Sequence, residues 1–145
     1  MANQDFVAQA SSSNMFEIAA GNLAMQKSAN ANVTEYGNHM ATDHGTAAAE
    51  MAAMANQKGW SVPANMMEKH QTKLNMLTSL SGTEFDKQYA AMMVASHQET
   101  IALFQQASSD MGVPDADLRS FAGGKLPTLN EHLQHAQELQ TQVGQ

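Results

Sequence analysis

The apolar residues of this chain recur at steps of three and four along four long stretches. That spacing places them on one stripe of each helix, the stripe that a helical bundle buries. One ionisable residue interrupts each apolar stripe near the middle of its helix; these residues are Glu17, His44, His97 and His132. The pattern predicts an all-α chain, a four-helix bundle with a polar residue from every long helix facing its interior.

The first half of the chain predicts two long helices and a short one. The first long helix covers about residues 5–28, and the second ends near Lys58, where Gly59 is a plausible terminator. A loop and a short helix over about residues 64–80 follow. The short helix therefore lies between the second and third long helices.

The second half of the chain predicts two more long helices. The third ends near Met111, and Asp115 can cap the fourth. The fourth contains Gly123, Gly124 and Pro127, which we expect to bend or break it because proline removes a backbone hydrogen bond and clashes with the preceding turn. At 145 residues, the chain is most simply one domain over residues 1–145.

The four inward ionisable residues also fall at similar heights. Glu17 and His44 lie at similar distances from the turn between their helices, and so do His97 and His132. Within each pair the two distances agree to within about one helical turn, at roughly 1.5 Å of rise per residue. A closed bundle would thus hold one carboxylate and three imidazoles at one level. Burying those groups without partners is costly, so they require hydrogen bonds or a bound ion.

Composition excludes several classes of function. The net charge is -7 and no cluster of lysine and arginine occurs, so nucleic acid is not an expected partner. Cysteine is absent, which excludes disulfides and thiolate ligands. No apolar run of about 18 residues occurs, so we expect no transmembrane segment. Met1 leads directly into polar residues, and we expect no signal peptide in this stretch.

Two interpretations of the four inward residues stand side by side. In the first they are the ligands of one transition-metal ion, with zinc preferred and copper or iron also chemically tolerable. Asp43 or Tyr89 would then support the ligands. In the second they form a hydrogen-bonded polar layer without a metal.

The remaining polar residues of interest are predicted to lie outside the site. Asp86 shares the stripe of His97 but stands three turns away, roughly 16 Å, which is too far for one ion. We expect it to act as a charge at the start of its helix. His39, His70 and His135 are predicted to lie on the surface.

The chain contains twelve methionines, which invites comparison with copper(I) proteins. Most of those on the stripes are spaced as core residues, where methionine is a flexible gap filler. We therefore predict packing roles for Met40, Met51, Met54, Met93 and Met111.

Five stretches of the chain carry a family resemblance: FEIAAGNLA at 16–24, MATDH at 40–44, FDKQY at 85–89, SH at 96–97 and LPTLNEHL at 126–133. With these the chain resembles the ferritin-like bacterial domain of unknown function 4142, whose members are often described as predicted outer membrane proteins. The resemblance covers nearly the whole chain and implies a ferritin-like bundle. Because members usually carry export signals, it also implies a periplasmic or cell-envelope location. It supplies no activity.

The family motifs fall on Glu17, His44, Asp86, His97 and His132, which are largely the residues that the stripes select. Di-iron proteins of the ferritin-like class carry a Glu-x-x-His element on two helices, and this chain has none. One mononuclear ion is therefore expected instead of a bridged pair.

We hypothesise a metal-binding bundle of the bacterial envelope with a role in metal binding or stress protection. One alternative is a metal-dependent oxidoreductase or hydrolase that keeps a ligand position open. The other is a metal-free structural or partner-binding module. The sequence does not decide whether the protein is an enzyme.

Overall fold

The computed structural model describes residues 1–144. Over that range the chain forms five helices: α1 (Asn3–Lys27), α2 (Ala31–Lys58), α3 (Glu68–Thr78), α4 (Gly82–Ser108) and α5 (Ala116–Gln142). The predicted all-α bundle, with a short helix between the second and third long ones, is confirmed. None of the helices within this range combines the length and apolar character that a membrane crossing requires.

The four long helices pair as two hairpins. α1 packs along α2 and α4 along α5, and the hairpins meet where α1 contacts α4 and α2 contacts α5. α3 lies against α1 and touches α4. Short connections join the helices of each hairpin, so the paired helices run antiparallel.

Local chemistry fixes the ends of several helices. The Asn30 side chain accepts a hydrogen bond from the backbone N–H of Asn32 and caps α2. Gly59 ends the same helix with a φ of 81°, a left-handed conformation that glycine adopts without steric cost. Asp115 caps α5 by accepting from the N–H of Leu118, as the sequence predicts.

Two apolar clusters fill the bundle, and a polar layer lies between them along the long helices. One cluster occupies the α1–α2 turn end and includes Phe16, Val33, Met40, Phe85, Tyr89, Met93 and Leu139. The other occupies the opposite end and includes Phe6, Val7, Met51, Phe104, Val113 and Leu118. The inward ionisable residues fall between the two clusters on all four long helices, so they are enclosed by apolar packing above and below.

Two helix boundaries and one predicted core residue differ from the sequence predictions. The short helix begins at Glu68, not near residue 64, and ends at Thr78. α4 ends at Ser108, because the backbone turns so that the N–H of Val113 bonds to the carbonyl of Ala107. Met111 lies on this turn and is 91% exposed, so its predicted place in the core is wrong.

Pro127 does not break α5, which runs uninterrupted from Ala116 to Gln142. Buried leucines, Leu118 and Leu129, lie on both sides of the proline and pack into the bundle. Most helical stability in proteins comes from such packing, and the loss of one backbone hydrogen bond does not outweigh it here. The predicted break is therefore wrong.

His70 is buried and not on the surface as predicted. Its Nδ1 lies 2.5 Å from the Ser12 hydroxyl oxygen, and its ring stacks on Phe16. The same hydroxyl oxygen accepts from the N–H of Met67 at the start of α3. His70 thus anchors the short helix to α1, a long-range contact that the local pattern does not reveal. His39 and His135 are exposed, as expected.

The α1–α2 crossing depends on two glycines without side chains. A Cβ added to Gly37 would lie 2.7 Å from the Ala24 Cβ and 2.7 Å from the Gly21 carbonyl oxygen. A Cβ on Gly21 would in turn clash with the backbone carbonyl of Gly37. The helices therefore approach at a distance that admits only glycine at this point.

We expect Gly37→Ala to lower the free energy of unfolding by about 1–3 kcal/mol, because the added methyl forces the two backbones apart. Gly45→Ala is the matched control in the same helix, since a Cβ there meets nothing within 4 Å. That control should be neutral or stabilising by up to about 1 kcal/mol. Urea unfolding followed by circular dichroism measures both, and equal stabilities for the two variants would contradict the close crossing.

Candidate metal centre

The structure brings together three of the four predicted site residues. His44 of α2, His97 of α4 and His132 of α5 are buried, and one ring nitrogen from each lies within 4.8 Å of the other two. Their ring centroids are 5.3 to 5.6 Å apart. A group of three imidazole nitrogens at this spacing can hold a metal ion.

Each ring is fixed from outside by an oxygen atom. His44 Nδ1 is 2.9 Å from the side-chain oxygen of Asn14, and His97 Nδ1 is 2.8 Å from the carbonyl oxygen of Met93. A carbonyl or amide oxygen only accepts, so both Nδ1 atoms donate. Each Nδ1 therefore carries a proton.

His132 is fixed in the same way through its other nitrogen. Its Nε2 lies 2.8 Å from the Asp43 carboxylate, to which it donates. The remaining nitrogens, Nε2 of His44, Nε2 of His97 and Nδ1 of His132, have no hydrogen-bond partner among residues 1–144. In the neutral form of a ring, this nitrogen is unprotonated and carries a free lone pair. This combination of an outer acceptor and an inner lone pair is typical of metal-ligating histidines.

Burial favours the neutral form of His44 and His132. Burial lowers the pKa of His44 well below its ordinary value, and the neighbouring His97 and His132 lower it further. Burial also lowers the pKa of His132, although the Asp43 carboxylate opposes that shift. Neutral imidazole is the form that binds a metal ion.

Glu17 lies beside His97 and outside the group of three imidazoles. One carboxylate oxygen accepts from the Ser96 hydroxyl at 2.7 Å and is 3.8 Å from His97 Nδ1. The other oxygen has no hydrogen-bond partner among the described residues. Burial raises the pKa of Glu17, and nearby His97 and the Ser96 hydrogen bond only partly offset that effect.

Of the two expected supporting residues, Asp43 contacts the site and Tyr89 does not bond to it. The Tyr89 hydroxyl is buried without a partner in the described chain, and its ring stacks on Phe85 in the apolar cluster. Asp86 accepts from the Ser28 hydroxyl at 2.6 Å, away from the three imidazoles. Asn14, which bonds to His44, was not among the predicted site residues, although it is a polar residue one turn before Glu17 on the buried side of α1.

A cavity of about 250 Å³ adjoins the imidazoles on one side. His44 and His132 line it, while His97 and Glu17 do not. The other lining residues are mostly hydroxyl and apolar side chains, with one cation, Lys125. Space is thus available next to two of the three rings.

The metal-free protein should lose stability as the pH falls from 7 to 5. His44, His132 and His70 all have a folded-state pKa below the ordinary value of 6.5. The unfolded chain therefore binds more protons below that value, and the free energy of unfolding decreases. The raised pKa of Glu17 acts in the opposite direction, but on one proton against three.

Thermal unfolding in the presence of a chelator, followed at half-unit steps of pH, measures this dependence. His70→Gln removes one of the three shifted groups outside the metal centre, and it should reduce the slope of the unfolding midpoint against pH. A midpoint that stays flat from pH 7 to pH 5 would contradict the burial of neutral rings.

Comparisons with known proteins identify the fold and the family. The comparison with curated proteins found no match. Among solved structures, CopM in its Cu(II)-bound form matches with a TM-score of 0.77 and 15% identity, covering 98% of this chain and 97% of that one. A DUF305 fragment from Deinococcus radiodurans matches with a TM-score of 0.81 and 12% identity, covering 96% and 95%. The model of the domain of unknown function DUF4142 matches residues 1–139, and the chain therefore belongs to that family.

Proposed function

We propose that this protein binds one transition-metal ion through His44, His97 and His132. The observation that carries the proposal is a group of three buried histidines that lie within metal-ligand distance of one another, each with one ring nitrogen that has no hydrogen-bond partner in the described chain. A buried polar atom left unsatisfied costs about 1–3 kcal/mol. One ion that accepts all three lone pairs removes that cost at a single point.

The donor set suits two ions in particular. Three imidazole nitrogens are suitable ligands for Zn²⁺, which the sequence favoured, and also for Cu²⁺. The similarity to CopM, which has been solved in a Cu(II)-bound form, supports testing Cu²⁺ beside zinc. We expect Cu²⁺ to bind more tightly, because a given nitrogen site generally prefers Cu²⁺ to Zn²⁺.

Glu17 has a different place in this proposal from the three histidines. A divalent ion on neutral ligands leaves two positive charges in the core. The Glu17 carboxylate beside His97 can compensate one of them, since a nearby cation favours the ionised form. Direct ligation by Glu17, as the sequence suggested, requires its oxygen to reach the ion past the His97 ring.

Metal titration of the chelator-treated protein tests the site. The protein should bind one equivalent of Zn²⁺ or Cu²⁺, and its unfolding midpoint should rise, because an ion that binds only the folded state stabilises it by mass action. His97→Gln should weaken binding by at least about tenfold. His135→Gln, an exposed histidine outside the group of three, is the matched control and should bind as the unmodified protein does.

Each result separates the alternatives. A protein that binds neither ion, with no rise in unfolding temperature, would refute the metal site and support a metal-free structural module. In Glu17→Gln the Cu²⁺ electron paramagnetic resonance spectrum distinguishes the two roles of the carboxylate. An unchanged spectrum with weaker binding fits charge compensation, whereas a changed ligand field would show that Glu17 is a ligand.

The cavity beside His44 and His132 favours a second candidate function, a metal-dependent oxidoreductase or hydrolase. With three protein ligands, a tetrahedral ion keeps one position for water or substrate, and the cavity offers space for that molecule. Turnover of peroxide, oxygen or an ester by the loaded protein, lost in His97→Gln, would support catalysis. No turnover would leave metal binding as the function.

We also infer a location in the periplasm or cell envelope from the resemblance of the chain to proteins that usually carry export signals. Osmotic-shock fractionation of the source bacterium, probed with an antibody to this chain, should recover the protein in the periplasmic or membrane fraction. Recovery with a cytoplasmic marker enzyme would contradict this location.

A further inference from the structure

His132 belongs to two groups of metal-binding side chains at once. Its Nδ1 is buried without a hydrogen-bond partner in the described chain, its Nε2 donates to Asp43, and its ring belongs both to the group with His44 and His97 and to a group with His39 and Asp43. The Asp43 Oδ2 atom lies 2.8 Å from His132 Nε2 and 3.1 Å from His39 Nε2. The ligand atoms of His39, Asp43 and His132 all lie within 4.8 Å of one another. We call these three residues the outer group.

The side chains of the outer group become less exposed from the surface toward the core. The side chains of His39, Asp43 and His132 are 54%, 34% and 4% exposed, respectively. The His39 ring meets the His132 ring edge to face, with 5.8 Å between centroids. An ion bound at His39 is therefore one imidazole away from the buried site.

A groove of about 380 Å³ reaches His39, the exposed member of the outer group. It is lined by His39, by the carboxylate residues Glu35 and Glu138, and by His135. Carboxylates and imidazoles attract and bind divalent cations. The charge of the groove thus favours the delivery of a cation to His39.

His39 is not needed to hold His132 in place. Asp43 alone accepts the Nε2 proton of His132 and fixes the ring, which is the usual role of a carboxylate behind a metal ligand. If the arrangement served only to orient His132, the contact between His39 and Asp43 would not be required. By contacting the same carboxylate oxygen as His132, His39 completes a group of three ligand atoms that could bind a cation.

We propose that the outer group is the loading site of the buried centre: a divalent transition-metal ion binds His39, Asp43 and His132 Nε2 and then passes inward to His44 and His97. This inference rests on the proposed function. While the ion occupies Nε2, the ring proton of His132 resides on Nδ1. When the ion moves to Nδ1, the proton returns to Nε2, where Asp43 accepts it, so the step is a balanced exchange of tautomers.

Stopped-flow mixing of chelator-treated protein with Cu²⁺, followed by quenching of tyrosine and tryptophan fluorescence, tests the loading route. His39→Gln should slow loading by about tenfold. Removal of Cu²⁺ by excess chelator should slow by the same factor, because a residue on the path changes both rates and leaves the equilibrium affinity unaltered. His135→Gln lines the same groove outside the outer group and should load at the rate of the unmodified protein.

A second experiment isolates the outer group. The double variant His44→Gln/His97→Gln keeps the outer group intact and should bind Cu²⁺ weakly, and adding His39→Gln should abolish that binding. If circular dichroism shows that the double variant is unfolded, the loading rates of His39→Gln and His135→Gln still test the proposal.

The outcomes separate the two proposals. No uptake of Cu²⁺ by the unmodified protein would refute the buried site itself. Uptake that is equally fast with and without His39 would overturn the loading site alone. Equal slowing in His39→Gln and His135→Gln would also overturn it, since it would assign the effect to the charge of the groove.

Discussion

The structure depends on how its buried imidazoles are satisfied. Three histidines enter the interior of a bundle that is apolar above and below them, and there a ring nitrogen without a partner is costly. Oxygens of Asn14, Met93 and Asp43 each take the outer N–H of one ring. Each acceptor leaves the other nitrogen of its ring buried without a hydrogen-bond partner in the described chain, and the three rings lie close enough to share one ion.

That convergence also depends on the packing of the helices. Gly21 and Gly37 let α1 and α2 approach closely, which places the start of α2 firmly against the end of α1. The two apolar clusters then set the height of the helices on either side of the polar layer. His44, His97 and His132 meet because the register of two hairpins is fixed by packing at both ends.

The stripes on the helices were sufficient to predict the bundle and the meeting of three histidines, because helical periodicity reports which face is buried and at what height. Periodicity does not report where a side chain ends, so it placed Glu17 with the imidazoles, whereas its carboxylate lies beside the Nδ1 of His97. Met111 and His70 were misplaced for related reasons. A turn after Ala107 directs Met111 to solvent, and the packing of α3 on α1 buries His70.

The double contact of His132 bears on how an ion would reach the proposed site. Apolar clusters close the polar layer at both ends, and a cavity borders His44 and His132 on one side. The His132 ring lies at the boundary, with one nitrogen inside and one facing Asp43 and His39. In the proposed loading route this ring would receive the ion beside Asp43 and His39 on one nitrogen and pass it to His44 and His97 on the other, with its proton changing place as the ion moves.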